Sequence, residues 1–218
     1  MITESASVSF SALDRIGRIR LSEHFFLREF LYSETAIKHG LINVPDDLDL
    51  AVEVGTRLCA ELLEPLQARF GRVHIRSAFR SCAVNGFGNE LGLNCARNEA
   101  NFADHIWDQR DSAGRMGATA CVVLPEAADF LSEPGQWTQL AWWIHDNLPY
   151  ATLYFFKAMM AFNIQSHDQP LRRIDSYAGW FDESGDWKKG GTLTKPGMAN
   201  HAIGHEAAYR PLTERFTL

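Results

Sequence analysis

The hydrophobic positions recur at helical spacing in the first third of the chain and alternate like strands after it. Ser22 opens a helical start in which Leu27, Phe30 and Leu31 share one face at i, i+3 and i+4. Ser33 supplies an N-cap for a second short helix, and Gly40 stops it just after Lys38 and His39. Pro45-Asp46-Asp47 then marks the start of a longer helix: proline fits a first turn, and acids complement the positive helix end. Leu48, Val52, Cys59, Leu62, Leu66 and Phe70 follow at near-helical spacing until Gly71, with Pro65 expected to kink or break the run.

The period then changes. Residues 73–79 alternate like a half-buried strand, and a second strand is expected over residues 118–124, stopped by Pro125. Between them, residues 82–101 are rich in Asn and Gly and read as an irregular loop. Residues 126–131 and 137–148 read as helices, the second with Leu140, Trp143, Ile144 and Leu148 on one side. Two more strands are expected at 152–156 and 161–165, and from about residue 175 the pattern dissolves into a loop-rich segment. Helices first, then strands with long connections, predict an α+β fold: a small, mostly antiparallel sheet with helices packed on one face. The expected organisation is an N-terminal arm over 1–20, one domain over 21–174, and a C-terminal extension of that domain over 175–218.

Composition narrows the function classes. The chain has 218 residues and a net charge of −6, without a Lys/Arg cluster, so nucleic acid is not an expected partner. No apolar run approaches the roughly 20 residues of a membrane span, so no membrane partner is expected either. The first residues, Met1-Ile2-Thr3-Glu4-Ser5, lack a basic start before an apolar stretch, which places the expected compartment in the cytoplasm of the producing cell. Cys59, Cys82, Cys95 and Cys121 form no C-x-x-C pair and read as free thiols.

Of the eight histidines, His24, His39 and His74 read as surface positions and His145 as a packed one. His201 and His205 are four apart, but Pro196, Gly197 and Gly204 argue against the helix that would pair them. His105 and His167 stand out, one at the end of a long polar loop and the other just past a strand, where sites are commonly built.

Several stretches, taken in order, resemble the zinc D-alanyl-D-alanine carboxypeptidases and related phage endolysins, which share the hedgehog/DD-peptidase fold. They are Leu21-Ser22-Glu23-His24-Phe25 with Leu27-Arg28-Glu29-Phe30, Ser33-Glu34-Thr35-Ala36, Asn43-Val44-Pro45, Leu63-Glu64-Pro65-Leu66, and Ser77-Ala78-Phe79-Arg80-Ser81 with Asn85. About 65 residues, 21–85, carry the resemblance well. In that family one zinc is held by His, Asp and His, the first two in Ser-x-His-x-x-Gly-x-Ala-x-Asp and the last in Trp-x-His.

Carried across by position, the resemblance implies His105, Cys121 and His167 as metal ligands, with Cys121 where the family has Asp. Zinc accepts a thiolate, and three protein ligands plus water is the catalytic pattern. Arg80 matches the arginine that steadies the developing oxyanion. Further departures accompany the match, among them Gln165, which stands where the family has the Trp of Trp-x-His. Residues 106–116 contain an insertion whose Asp108 or Asp111 can supply the carboxylate instead; Ala103 stands where the family has Ser; and Ile164 stands where it has its acidic base. Asp108, Asp111 and Asp168 are therefore the candidate bases.

The implied activity is zinc-dependent hydrolysis of peptidoglycan stem peptides containing D-amino acids, as a carboxypeptidase or endopeptidase. The alternative is a catalytically inactive peptidase-fold module that binds or builds, for example in a phage particle or a cell-wall complex. Either would reach the wall by a holin-type route or as part of a phage particle.

Overall fold

The computed structural model of the chain describes residues 8–93, 95–182 and 184–217. Helix α1 (Phe10–Gly17) is capped by Ser9, whose side chain accepts from Ala12 N–H. It is followed by α2 (Leu27–Phe30) and by α3 (Glu34–His39), which runs from a Ser33 cap to Gly40 in the left-handed conformation at φ 65°. Asp47 caps α4 (Leu48–Leu58) by accepting from Leu50 N–H at 3.0 Å. The helix does not stop at Pro65. It widens into one π-helical turn (Cys59–Leu63) and continues as α5 (Glu64–Phe70). Proline has no N–H to give the preceding turn, and a wider turn accommodates that loss without breaking the apolar stripe.

Strand β1 (His74–Ser77) leads to α6 (Cys82–Glu90) and α7 (Asn98–Asn101), then β2 (Gly117–Val123), α8 (Pro125–Phe130), α9 (Trp137–Asn147), β3 (Thr152–Phe155) and β4 (Phe162–His167). The remainder supplies β5 (Arg173–Ser176), β6 (Trp180–Phe181), β7 (Trp187–Lys188), β8 (Gly191–Thr194) and α10 (Glu206–Arg215). The fold is α+β. Among the described residues one sheet has the order β1-β2-β4-β3-β5-β8, antiparallel throughout except for the parallel pair β3/β5, and β6/β7 form a separate hairpin.

Two regions differ from the sequence expectation. Residues 82–101 form two helices rather than an irregular loop. The inward side of α6 is partly polar: Asn85 is fully buried and donates to Ala96 O and Asn98 Oδ1, both at 2.9 Å. Apolar periodicity is blind to such a helix. The segment after 175 likewise contributes a sheet strand, β8, and a helix, α10, with Tyr209 and Leu212 buried. Its strands of two to four residues are too short for a period to show.

The sheet has two unlike faces. Ala118, Ala120 and Val122 on β2, Phe162 and Ile164 on β4, Leu153 and Phe155 on β3 and Ile174 on β5 are all fully buried. They meet α4 and α9; Trp137 of α9 lies against Phe155 with ring centres 4.7 Å apart. Because side chains alternate across a strand, the intervening residues form the opposite face. That face is polar. Cys121 pairs with Ser77 and Asn163, Asn163 with Tyr154, and Tyr154 with Asp175, giving one continuous row across five strands.

Candidate functional site

The polar face carries a cleft of about 700 Å³ whose lining includes Arg76, Arg80, His105, Cys121, Tyr154 and Asn163. The segment 78–81 enters it from β1 and is fixed by Asn43. The buried Asn43 amide donates to Leu31 O and Phe79 O, both at 3.0 Å, and its oxygen accepts from Ser81 N–H at 2.8 Å. Arg80 N–H donates to His105 O at 2.8 Å, tying this segment to the loop before β2.

That loop lies directly on the sheet. Thr119 N–H donates to Asp104 O at 2.9 Å, the Thr119 hydroxyl donates to the Asp104 carboxylate, and the Gln165 amide donates to Ala103 O at 3.2 Å. The approach needs Gly117, because a Cβ there would overlap Ala103 O and the His167 ring. Ala103 itself holds φ 54°, the left-handed region that non-glycine residues seldom adopt.

His105 is buried, and its Nδ1 lies 2.9 Å from Ala78 O. A carbonyl only accepts, so Nδ1 carries the proton and Nε2 is left as an acceptor, 3.4 Å from the Asn163 amide nitrogen. Burial holds the imidazole pKa below its ordinary value; Arg80 adds to this and Asp104 opposes it. Cys121 is buried too. Desolvation pushes its thiol pKa up, while the nearby Arg76 and Arg80 guanidiniums pull it back.

The other sequence candidates lie elsewhere. His167 pairs with Gly117, four residues along β2 from Cys121 and thus about 13 Å away at the usual strand rise. Its Nε2 lies 3.6 Å from Asp111 Oδ2. Asp111 is turned into its own loop, accepting from Ala113 N–H and Arg115 N–H, and the second of these bonds is the main reason its pKa lies below the ordinary value. Asp168 pairs with Arg57 at 2.6 Å and accepts from Met116 N–H. Its partial burial opposes ionisation, but these bonds outweigh it and hold the carboxyl pKa down.

Asp108 is buried and faces the start of α4, where Oδ2 accepts from Asp46 N–H at 2.7 Å; Oδ1 has no partner. Burial raises its pKa. None of these four residues lines the cleft. The structure thus brings together His105, Cys121 and Arg80 and leaves out His167, Asp108, Asp111 and Asp168.

Sequence reasoning missed Arg76 and Asn163. The alternation Phe162-Asn163-Ile164-Gln165-Ser166-His167 already puts Asn163 on the same face as His167 and Ile164 on the core side. Strand alternation does not reveal the β2/β4 register, however, and only the register seats Asn163 beside Cys121.

At the cleft floor the donors suited to zinc are His105 Nε2 and Cys121 Sγ. The third neighbour is a neutral amide, which is not among zinc's ordinary ligands. Among the described residues no group of three or more His, Cys, Asp and Glu side chains could hold a metal ion, and no helix is long and apolar enough to cross a membrane. No family model matches the chain, and no curated protein or solved structure matches it either.

Proposed function

We propose that the chain is a peptide-binding module on a hedgehog/DD-peptidase-like scaffold, which takes peptidoglycan-type peptides in the cleft over Cys121 without zinc-dependent hydrolysis. The observation that carries this reading is the β2/β4 register. It sets Asn163 beside Cys121 and His105, where a catalytic zinc would need another imidazole or anionic donor, and it leaves His167 about 13 Å along the strand pair. The base position gives hydrolysis no support either: Ile164 is buried on the core side of the sheet, and the carboxylates lining the cleft are Glu34, exposed at the start of α3, and Asp104, which Thr119 engages. Peptidoglycan as the ligand rests on the sequence resemblance.

One observation favours the alternative, a zinc peptidase. His105 donates Nδ1–H to a backbone carbonyl, as metal-binding histidines commonly do, and leaves Nε2 as an acceptor in the cleft that Cys121 also lines. Two measurements separate the readings: the metal content of protein purified without chelator, and release of peptide fragments from purified murein. Substoichiometric zinc and murein binding without fragment release, unchanged in Cys121→Ala, is the expected outcome. One zinc per chain that disappears in Cys121→Ala, together with zinc-dependent cleavage, would restore the hydrolase.

A further inference from the structure

We infer that the cleft is a carboxylate-binding site, in which Arg76 and Arg80 grip the carboxylate of a small organic acid or peptide end and Tyr154, Phe156 and Tyr177 hold its body. The inference rests on the reading of the cleft as a ligand site, but not on which peptide it takes.

The two arginines come from different segments, one on β1 and one beyond it, yet both line the cleft and both act on the Cys121 thiol. Neither pairs with a carboxylate among the described residues. The side-chain contact of Arg80 is Nη1 to Cys95 Sγ at 3.6 Å. Arg57, by contrast, has Asp168 at 2.6 Å. Two guanidiniums that line one cleft and both reach the field of the same thiol repel each other, and an oxyanion between them relieves that repulsion. The planar fork of arginine suits such a group. The Asn163 amide, on the same floor, offers a further N–H.

The surroundings select the kind of anion. The chain carries −6 overall, and Glu34 and Asp104 line the same cleft. That field disfavours ligands of high negative charge, such as nucleotides, and favours a single carboxylate. One wall is aromatic. Tyr154 and Tyr177 lie 4.7 Å apart, and Phe156 lies 5.9 and 6.0 Å from them. Tyr177 is 54% exposed, a large ring left open at the mouth, as a surface that packs a ligand body would be.

The test uses the whole chain and three probes: N-acetylphenylalanine, its uncharged carboxamide, and inorganic phosphate, each titrated by NMR or calorimetry. The acid should bind saturably in the millimolar range, and the carboxamide about tenfold more weakly or worse, which corresponds to about 1.4 kcal/mol. Phosphate should compete poorly. Arg76→Gln should weaken the acid by a similar factor. Arg76 is exposed, so this variant keeps its fold, and an unchanged melting curve confirms that. Arg80→Gln should do the same.

No saturable binding at about 10 mM acid would overturn the inference, that being well above the affinity a single anchored carboxylate is expected to give. Equal binding of acid and carboxamide, phosphate binding more tightly than the acid, or arginine variants that bind like the parent would overturn it too. Murein binding that ignores both arginines would overturn this inference and leave the proposed function intact. Arginine-dependent acid binding in a protein that also cleaves murein with zinc would do the reverse.

Discussion

At the scale of single residues, Asp108 shows how a side chain that looks chemical from the sequence acts structurally. Its Oδ2 accepts from Asp46 N–H at the start of α4, and its other oxygen is buried without a partner. Burial raises its pKa, so ionising it costs more in the folded chain than in the unfolded one; what stability it gives is greatest at low pH and declines as pH rises through the folded pKa. Asp108→Asn keeps an acceptor for Asp46 N–H and removes the buried charge. At pH 7 it should match the parent or exceed it by up to about 1 kcal/mol. Asp108→Ala removes the acceptor and should cost about 1–3 kcal/mol. Urea unfolding of the two variants side by side decides it, and equal stabilities would refute the assignment. The residue types of the cleft were partly legible: His105, Cys121 and Arg80 were singled out and do meet. The partners were not, because Arg76 and Asn163 reach the cleft through pairings between strands far apart in the chain.

At the scale of elements, the site depends on a loop laid against a strand with no space between them. Gly117 is where Ala103 O and the His167 ring come closest to β2. Adding one methyl there must lift the 103–105 loop, which carries His105 and receives the Arg80 N–H bond. Gly117→Ala should therefore cost about 1–3 kcal/mol, as overpacking commonly does, and should move the His105 ring resonances in NMR. A variant of parent stability with an unshifted His105 would show that the loop tolerates displacement. The same geometry explains why the long helix and the strands β1 to β4 were readable while α6 was not. The former bury apolar stripes or alternations that a period detects. Helix α6 turns a hydrogen-bonded Asn85 inward, and its start is signalled only by Ser81, whose hydroxyl accepts from Val84 N–H at 3.3 Å.

At the scale of the whole molecule, the C-terminal segment is held by the β5/β8 pairing, by Arg69 donating to Thr213 O and Phe216 O, and by one buried histidine that titrates. His145, on α9, is fully buried; its Nε2 lies 2.9 Å from His201 O and its Nδ1 lies 2.6 Å from the Tyr150 hydroxyl. A carbonyl only accepts, so Nε2–H donates to His201 O; the Tyr150 hydroxyl, which lies 2.9 Å from Arg172 O as well, has one proton for two acceptors, that carbonyl and Nδ1 of the neutral ring. One ring thus ties α9, the start of β3 and the 199–205 segment together, beside the Asp146–His205 pair at 2.9 Å. Burial pushes the His145 pKa down to about 4. An unfolded histidine titrates near 6.5, so between about pH 6.5 and 4 the unfolded chain binds a proton that the folded chain refuses. The stability of the whole molecule should then fall as pH is lowered through that window, by up to about 3 kcal/mol from this residue, and level off below it. His24 acts in the opposite sense above the window. Its hydrogen bond to Glu64 raises its pKa, so its contribution is present below about 6.5 and fades as pH rises through the folded value. Denaturant unfolding from pH 4 to 8 tests this. The parent should show the fall, while His145→Gln, less stable at pH 8, should show a shallower one between pH 6.5 and 4. Equal slopes in the two proteins would mean that the ring is not the group that ties the C-terminal segment to the pH of the solution.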